Sequence, residues 1–194
     1  MKLYGASGHG KVIIRILEDL GLSIIKIYDD RAPFKILDYD VLKYDGSENE
    51  NFIVSVGNNK TRKIIVERLK NVSFATAVHP SALVDKTVTI GEGTVVMPGA
   101  IVNVDSKIGK HCIINTSASI DHECQLADFV HISPNCTLSG SVQVGEGTHI
   151  GAGAVVIPGV KIGKWATIGA GAVIIKDVPD GVTVVGNPGR IIKK

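Results

Sequence analysis

From Val78 to Ile174 every sixth residue is isoleucine, leucine or valine, seventeen positions without a slip. Four places after each stands a small or β-branched residue, among them Ala82, Thr94, Cys112, Ala118, Cys124, Cys136 and Ala172. A period of six fits neither an α-helix, which repeats about every 3.6 residues, nor a lone strand, which alternates. It fits a chain that turns a corner every six residues and stacks short strands into a parallel β-helix with three faces per coil. One aliphatic per face points into a narrow interior, and the small residue fits the corner. Glycines in "IGEGTV", "IGAGAV" and "IGKWAT" supply turn conformations that other residues resist. At eighteen residues per coil, residues 78–194 hold roughly five coils and a short tail.

Before residue 78 that period is absent, and residues 1–77 form a different unit. "KLYGAS" reads as a strand entering a glycine turn at Gly5, Gly8 and Gly10. A helix follows with Val12, Ile13, Ile16, Leu17 and Leu20 on one face and Gly21 as its stop. "SIIKIYDD" is a second strand ending in Asp29 and Asp30, "FIVSVGNN" a third, and a helix covers Thr61 to Lys70. Alternating strand and helix predicts a small parallel α/β, Rossmann-like domain. Its turn is G-x-x-G-x-G, not the dinucleotide order G-x-G-x-x-G, though an acidic pair lies about twenty residues on. A glycine turn at a helix start cradles phosphate, and half a dinucleotide site suits a mononucleotide or nucleotide sugar. A plain requirement of the fold accounts for such a turn equally well.

Charge and composition narrow the function classes. A net charge of +2 without clustering gives no footprint for nucleic acid or an anionic membrane. "MKLYGASGHG" has no signal-peptide core and no segment is long enough to span a bilayer, so a cytoplasmic protein is expected. The three cysteines lack zinc-type pairing and all occupy the small corner position, which makes them core and not nucleophiles.

"YGASGHG", the "DD" after the second strand, "VGNN" after the third, "HPSA" entering the repeats, "NTSASIDHEC" and the terminal "VGNPGR" together resemble one family along essentially the whole chain. It is the sialic-acid O-acetyltransferase-like group of hexapeptide-repeat acetyltransferases. The nearest branch resembles the UDP-4-amino-sugar N-acetyltransferases of bacillosamine biosynthesis. The resemblance implies a left-handed β-helix, acetyl-CoA as co-substrate, no metal, and a homotrimer with sites between subunits. It assigns Ser7, Gly8, His9, Asp29, Asp30 and Gly57 to the UDP-amino-sugar, with Asn115 at its acetyl or sugar end. In the same carry-over His122 is the general base, Glu123 raises its basicity, and His131, Gly140, Ala152 and Ala170 line the acetyl-CoA groove. The terminal "GNPGR" and "IIKK" resemble tails that pack by the CoA groove, where Lys193 and Lys194 would face the CoA phosphates; a solvated charged tail is the alternative.

Attack of an amine or hydroxyl on a thioester needs a positioned nucleophile, a proton acceptor and a donor to the developing oxyanion. Histidine suits the proton, and a neighbouring carboxylate stabilises the imidazolium. Gly140 lies eighteen residues after His122, one coil above it, where a backbone N–H meets the oxyanion. On an extended strand Asp121 and Glu123 both point away from the face of His122. A direct Glu123–His122 bond therefore needs a corner's turn, and Asp121 is the rival orienter. Of the other histidines, His79 reads as structural and His111 as surface. His131 and His149 stack in neighbouring coils, but without the third ligand zinc needs. Two readings compete with N-acetylation: O-acetylation of a sialic-acid-type sugar, and a non-catalytic β-helix scaffold trimer.

Overall fold

A computed structural model describes residues 1–193. The N-terminal unit runs β1 (Lys2–Tyr4), α1 (Gly8–Asp19), β2 (Lys26–Tyr28), β3 (Phe34–Ile36), β4 (Tyr39–Leu42), β5 (Phe52–Val54) and α2 (Asn59–Arg68). Its sheet has the order β3-β4-β2-β1-β5, parallel except for the antiparallel edge strand β3. The β3–β4 hairpin is absent from the sequence reading because its turn carries Leu37 at φ 49° in place of a turn glycine. The buried stripe of α1 is Ile13, Ile14, Ile16 and Leu17, whereas Val12 faces outward at 40% exposure. Helix α2 begins two residues earlier than the pattern implied, because the Asn58 side chain accepts the Thr61 N–H at 2.9 Å and caps it.

Beyond it, seventeen two-residue strands from Ala77–Val78 to Val173–Ile174 build three parallel sheets among the described residues, giving between five and six coils. Register partners are eighteen residues apart, as in Ile113, His131, His149 and Thr167. The six-residue aliphatics fill one continuous core, with Ile120, Ile132, Leu138 and Ile150 at 0% exposure. Each such burial stabilises by about 1.5–3 kcal/mol. Val78, Val84 and Ile90 are only partly buried, since no coil lies beneath them. Thr183–Val185 extends one sheet and Arg190–Lys193 closes back on it antiparallel; Lys194 lies outside the described residues.

The three faces meet at three edges, and these locate everything that follows. The eight-stranded face carries Ile113, His131 and His149 outward, and its first coils pack under the α/β domain through Ala77, Val95, Met97 and Ile113. From it the chain turns at the Asn115 edge onto the six-stranded face, then at the His122 edge onto the five-stranded face. The third edge, through His111, returns to the start and lies against α2.

Candidate active site

At the His122 edge the outer corner residues Asp105, Glu123 and Ser141 all adopt left-handed backbone, with φ of 59°, 60° and 61°. That turn settles how neighbours in sequence come to meet. It swings the Glu123 side chain back so that its Oε2 lies 3.1 Å from His122 Nδ1, and Ser141 Oγ donates to the same oxygen at 3.3 Å. Asp121 is occupied elsewhere: its Oδ1 accepts the His122 backbone N–H at 2.9 Å and the Asn103 amide at 3.1 Å. Glu123 therefore holds the imidazole and Asp121 holds the backbone beneath it. The His122 ring rests against Gly140, so closely that a Cβ there would meet Cε1 at 2.4 Å and Nε2 at 2.5 Å. The Gly140 N–H finds no acceptor among the described residues.

Comparison with the other histidines separates His122 from them. His79 also meets a carboxylate, Asp19 at 3.0 Å, but its second nitrogen is taken by Ser81 at 2.8 Å, so it ties α1 to the β-helix. His111 is not at the surface, contrary to the sequence reading. It is 4% exposed, stacked on Phe129 and edge-on to Phe74 beneath the docked domain, and burial lowers its pKa to about 4. The outward period marks a side chain as leaving the β-helix core; it does not show that a second domain covers the spot.

His131 and His149 stack at 4.8 Å on the eight-stranded face. His131 Nε2 faces the Asn115 amide at 3.1 Å, and His149 Nε2 meets Ser133 Oγ at 2.7 Å. Desolvation, with the neighbouring His149 and Arg62 adding to it, lowers His131 to about 3, so the ring stays neutral and accepts the Asn115 hydrogen. A base that weak cannot take a proton usefully at neutral pH. His9 lies close by, against Gly57; its Nε2 is buried without a partner and burial lowers its pKa to about 4. No group of three potential metal ligands occurs among the described residues.

The glycine turn divides by role. Gly5, at φ +112° and pressed by Ser55 and Val56 after β5, is demanded by the fold, and so is Gly10, where a Cβ would lie 2.7 Å from Gly5 O. Gly8 faces open space, so nothing in the fold requires it. Ser7 and Gly8 are exposed at the start of α1, beside a cleft of about 380 Å³ lined by Tyr4, Gly5, Ser7, Asp29, Asp30 and Thr61. Asp29 straps this turn: Oδ2 accepts the Ala6 N–H at 2.9 Å, and its bonds from Arg31 are the main cause that lowers its pKa to about 2. Asp30 accepts from Tyr4 Oη at 2.5 Å and from Arg68 at 3.1 Å. The tie of both carboxylates into the wall was not visible in the sequence, because Tyr4, Arg31 and Arg68 carry no motif.

The expected site residues thus fall into separate groups. His122, Glu123 and Gly140 converge on one edge, while Asn115, Ala152 and Ala170 lie along another, with His131 beside them. The six-stranded face stands between these edges, and it exposes Leu83 (67%) and Val155 (37%).

A small α/β domain on a three-sided β-helix that bears a carboxylate-held histidine is the arrangement of a hexapeptide-repeat acyltransferase. Comparison with known proteins gives the branch. The PglD N-terminal domain family matches residues 1–69, and the bacterial transferase hexapeptide (six repeats) family matches residues 141–176. A mutant of perosamine N-acetyltransferase from Caulobacter crescentus, solved with CoA and GDP-perosamine, superposes with a TM-score of 0.94 at 36% identity, covering 100% of this chain and 96% of that one. The acetyltransferase domain of PglB from Neisseria gonorrhoeae, solved with acetyl coenzyme A, gives 0.93 at 37% identity over 98% of each chain. WeeI from Acinetobacter baumannii gives 0.89 at 29% identity over 98% of each. The chain belongs to the hexapeptide-repeat nucleotide-amino-sugar N-acetyltransferases that carry a PglD-type N-terminal domain.

Proposed function

We propose that this protein transfers the acetyl group of acetyl-CoA to the amine of a nucleotide-linked amino sugar, a UDP-4-amino sugar in our reading, with His122 as general base. One observation carries the proposal. Among the six histidines, His122 is the one whose Nδ1 is held by a carboxylate while Nε2 has no protein partner among the described residues. In the reaction the sugar nitrogen attacks the thioester carbonyl carbon and the tetrahedral oxyanion meets the Gly140 N–H. His122 Nε2 takes the amine proton, Glu123 stabilises the imidazolium, and the C–S bond breaks to release CoA. No acyl-enzyme is needed, and the cysteines do not offer one: Cys112, Cys124 and Cys136 are buried, with burial raising Cys112 to about 12.

The nucleotide belongs in the cleft at the ends of β1 and β2. There the first turn of α1 offers N–H groups to the diphosphate, and Ser7, Gly8 and His9 with Gly57 line the way toward His131. The two edges cannot meet within one chain. Copies packed through the apolar six-stranded face bring the His122 edge of one against the Asn115, Ala152 and Ala170 edge of the next. Such a head-to-tail contact closes as a ring, here a trimer. The groove between copies then takes acetyl-CoA.

His122→Ala tests the reading. The variant keeps its melting temperature and loses at least about 100-fold in kcat, followed as free CoA thiol with nucleotide-linked amino sugars and hydroxyl sugars as acceptors. Wild-type turnover in the variant removes His122 from the mechanism, and thiol release with hydroxyl acceptors alone moves the assignment to O-acetylation.

A further inference from the structure

We infer that Arg62, on α2, is a positioning residue that sets the nucleotide cleft at a fixed height along the β-helix. The inference rests on the proposed acetyl transfer for its kinetic readout only. Arg62 is 1% exposed, the largest fully buried side chain among the described residues, and its five N–H donors meet five oxygens. Nε donates to His111 O at 2.8 Å, Nη2 to Phe129 O at 2.9 Å and Asn59 Oδ1 at 3.0 Å, and Nη1 to Val56 O at 3.0 Å and Gly57 O at 3.2 Å. Asn59 continues the series, its Nδ2 donating to Gly147 O at 3.0 Å. His111, Phe129 and Gly147 occupy one corner position in three successive coils, each in left-handed backbone at φ 53°, 60° and 66°. Helix α2 thus engages a ladder of carbonyls that repeats coil by coil.

Every acceptor is a neutral oxygen. A cation buried without a counterion costs several kcal/mol in desolvation that dipoles only partly return. A methionine would fill the space with less penalty, so stability alone does not explain an arginine. Register does, because a planar fork fits two particular carbonyls and resists a slide of one coil, which apolar packing on a repetitive surface resists poorly. The other arm of the fork grips Val56 and Gly57, the loop that joins β5 to α2. Gly57 in turn lies beside His9, where a Cβ would come within 3.9 Å of the His9 side chain, and its backbone neighbours His131. Arg62 therefore connects the cleft to His131 beside the Asn115 edge, without lining the cleft itself.

Arg62→Lys keeps the charge but cannot span the acceptors, and Asn59→Ala removes the third rung together with one of the five acceptors of Arg62. For Arg62→Lys we expect nucleotide and acetyl-CoA dissociation constants within about twofold of wild type and a kcat at least about tenfold lower. Asn59→Ala shifts kcat the same way by less. Hydrogen exchange rises at Gly57 and in the coil of His131. Unchanged kcat in a folded Arg62→Lys protein overturns the inference. So does a loss of acetyl-CoA binding in proportion to the unfolded fraction, which marks Arg62 as structural only. If Arg62→Lys does not fold, Asn59→Ala decides alone by the same split. Absence of transfer by the wild type sinks the functional reading, and hydrogen exchange then judges Arg62 by itself.

Discussion

Gly140→Ala is the sharpest probe of the His122 edge, since it adds one carbon at the point where the ring rests. Gly140 lies outside the left-handed region, so its backbone accepts alanine without strain, and the new Cβ collides only with the imidazole at 2.4 and 2.5 Å. Ordinary carbon contacts need about 3.5 Å, so the ring retreats by roughly 1 Å. That stretches the 3.1 Å bond from Nδ1 to Glu123 beyond a useful hydrogen bond and moves Nε2 away from Gly140. A displacement of about 1 Å in a reacting group costs on the order of 100-fold, or about 2.7 kcal/mol in activation free energy.

Stability moves the other way. Replacing glycine by alanine at a compatible position stabilises by about 0.4–1 kcal/mol through the unfolded chain. The variant should melt at or slightly above the wild-type temperature while kcat, read as thiol release at saturating substrates, falls about 100-fold. Adding Gly140→Ala to His122→Ala should change nothing further, because both act through the same ring. Wild-type kcat in the single variant, or a full additional loss in the double, refutes the assignment of the ring as base.

Three further expectations follow from the same geometry. Glu123→Gln lowers kcat about tenfold at fixed pH, a modest loss because both partners are half exposed in the single chain; an unchanged rate assigns the orienting role elsewhere. Acid destabilises the fold. His111 at about 4 stays neutral in the folded protein, while the unfolded chain takes up a proton near pH 6.5. The unfolded state therefore binds more protons between those values, and stability falls as pH drops from 6.5 to 4, by up to about 3 kcal/mol for this residue. Urea midpoints at pH 7.5, 5.5 and 4 measure it, and His111→Leu flattens the slope; a flat wild-type profile contradicts the burial argument. Val155→Asp places a charge on the apolar face, and light scattering should report monomers with little activity; an intact trimer moves the interface to another face.

Legibility in the sequence followed the range of the interactions. Each coil repeats the one before it, so one buried aliphatic every six residues reports the β-helix directly. The parallel α/β domain showed through local strand and helix patterns, whereas the β3–β4 hairpin, with no turn signature, did not. At the site, His122 and Gly140 were visible as a pair because eighteen residues is one coil. The choice between Asp121 and Glu123 was not, since it depends on the corner backbone turning left-handed at Glu123 (φ 60°), where a strand would have sent the side chain away. What failed outright was His111, whose outward position in the repeat says nothing of Phe74 brought over it from another domain.

That failure and the role inferred for Arg62 share a cause. A β-helix offers the same surface every eighteen residues, so its sequence fixes what faces outward but not what docks there or at which coil. Docking has to be specified by irregular features on the partner, and α2 supplies them: Asn59 and Arg62 for three carbonyls, and Lys63 for Glu146 at 2.6 Å. None forms a motif, because each acts through backbone atoms or a single distant carboxylate. The nucleotide cleft owes its place relative to the Asn115 edge to these contacts. In the proposed trimer the His122 edge comes from another copy, held there by the six-stranded face. Specificity for the sugar then depends on two dockings, one within the chain and one between chains, and a change at either should alter kcat before it alters the binding of acetyl-CoA.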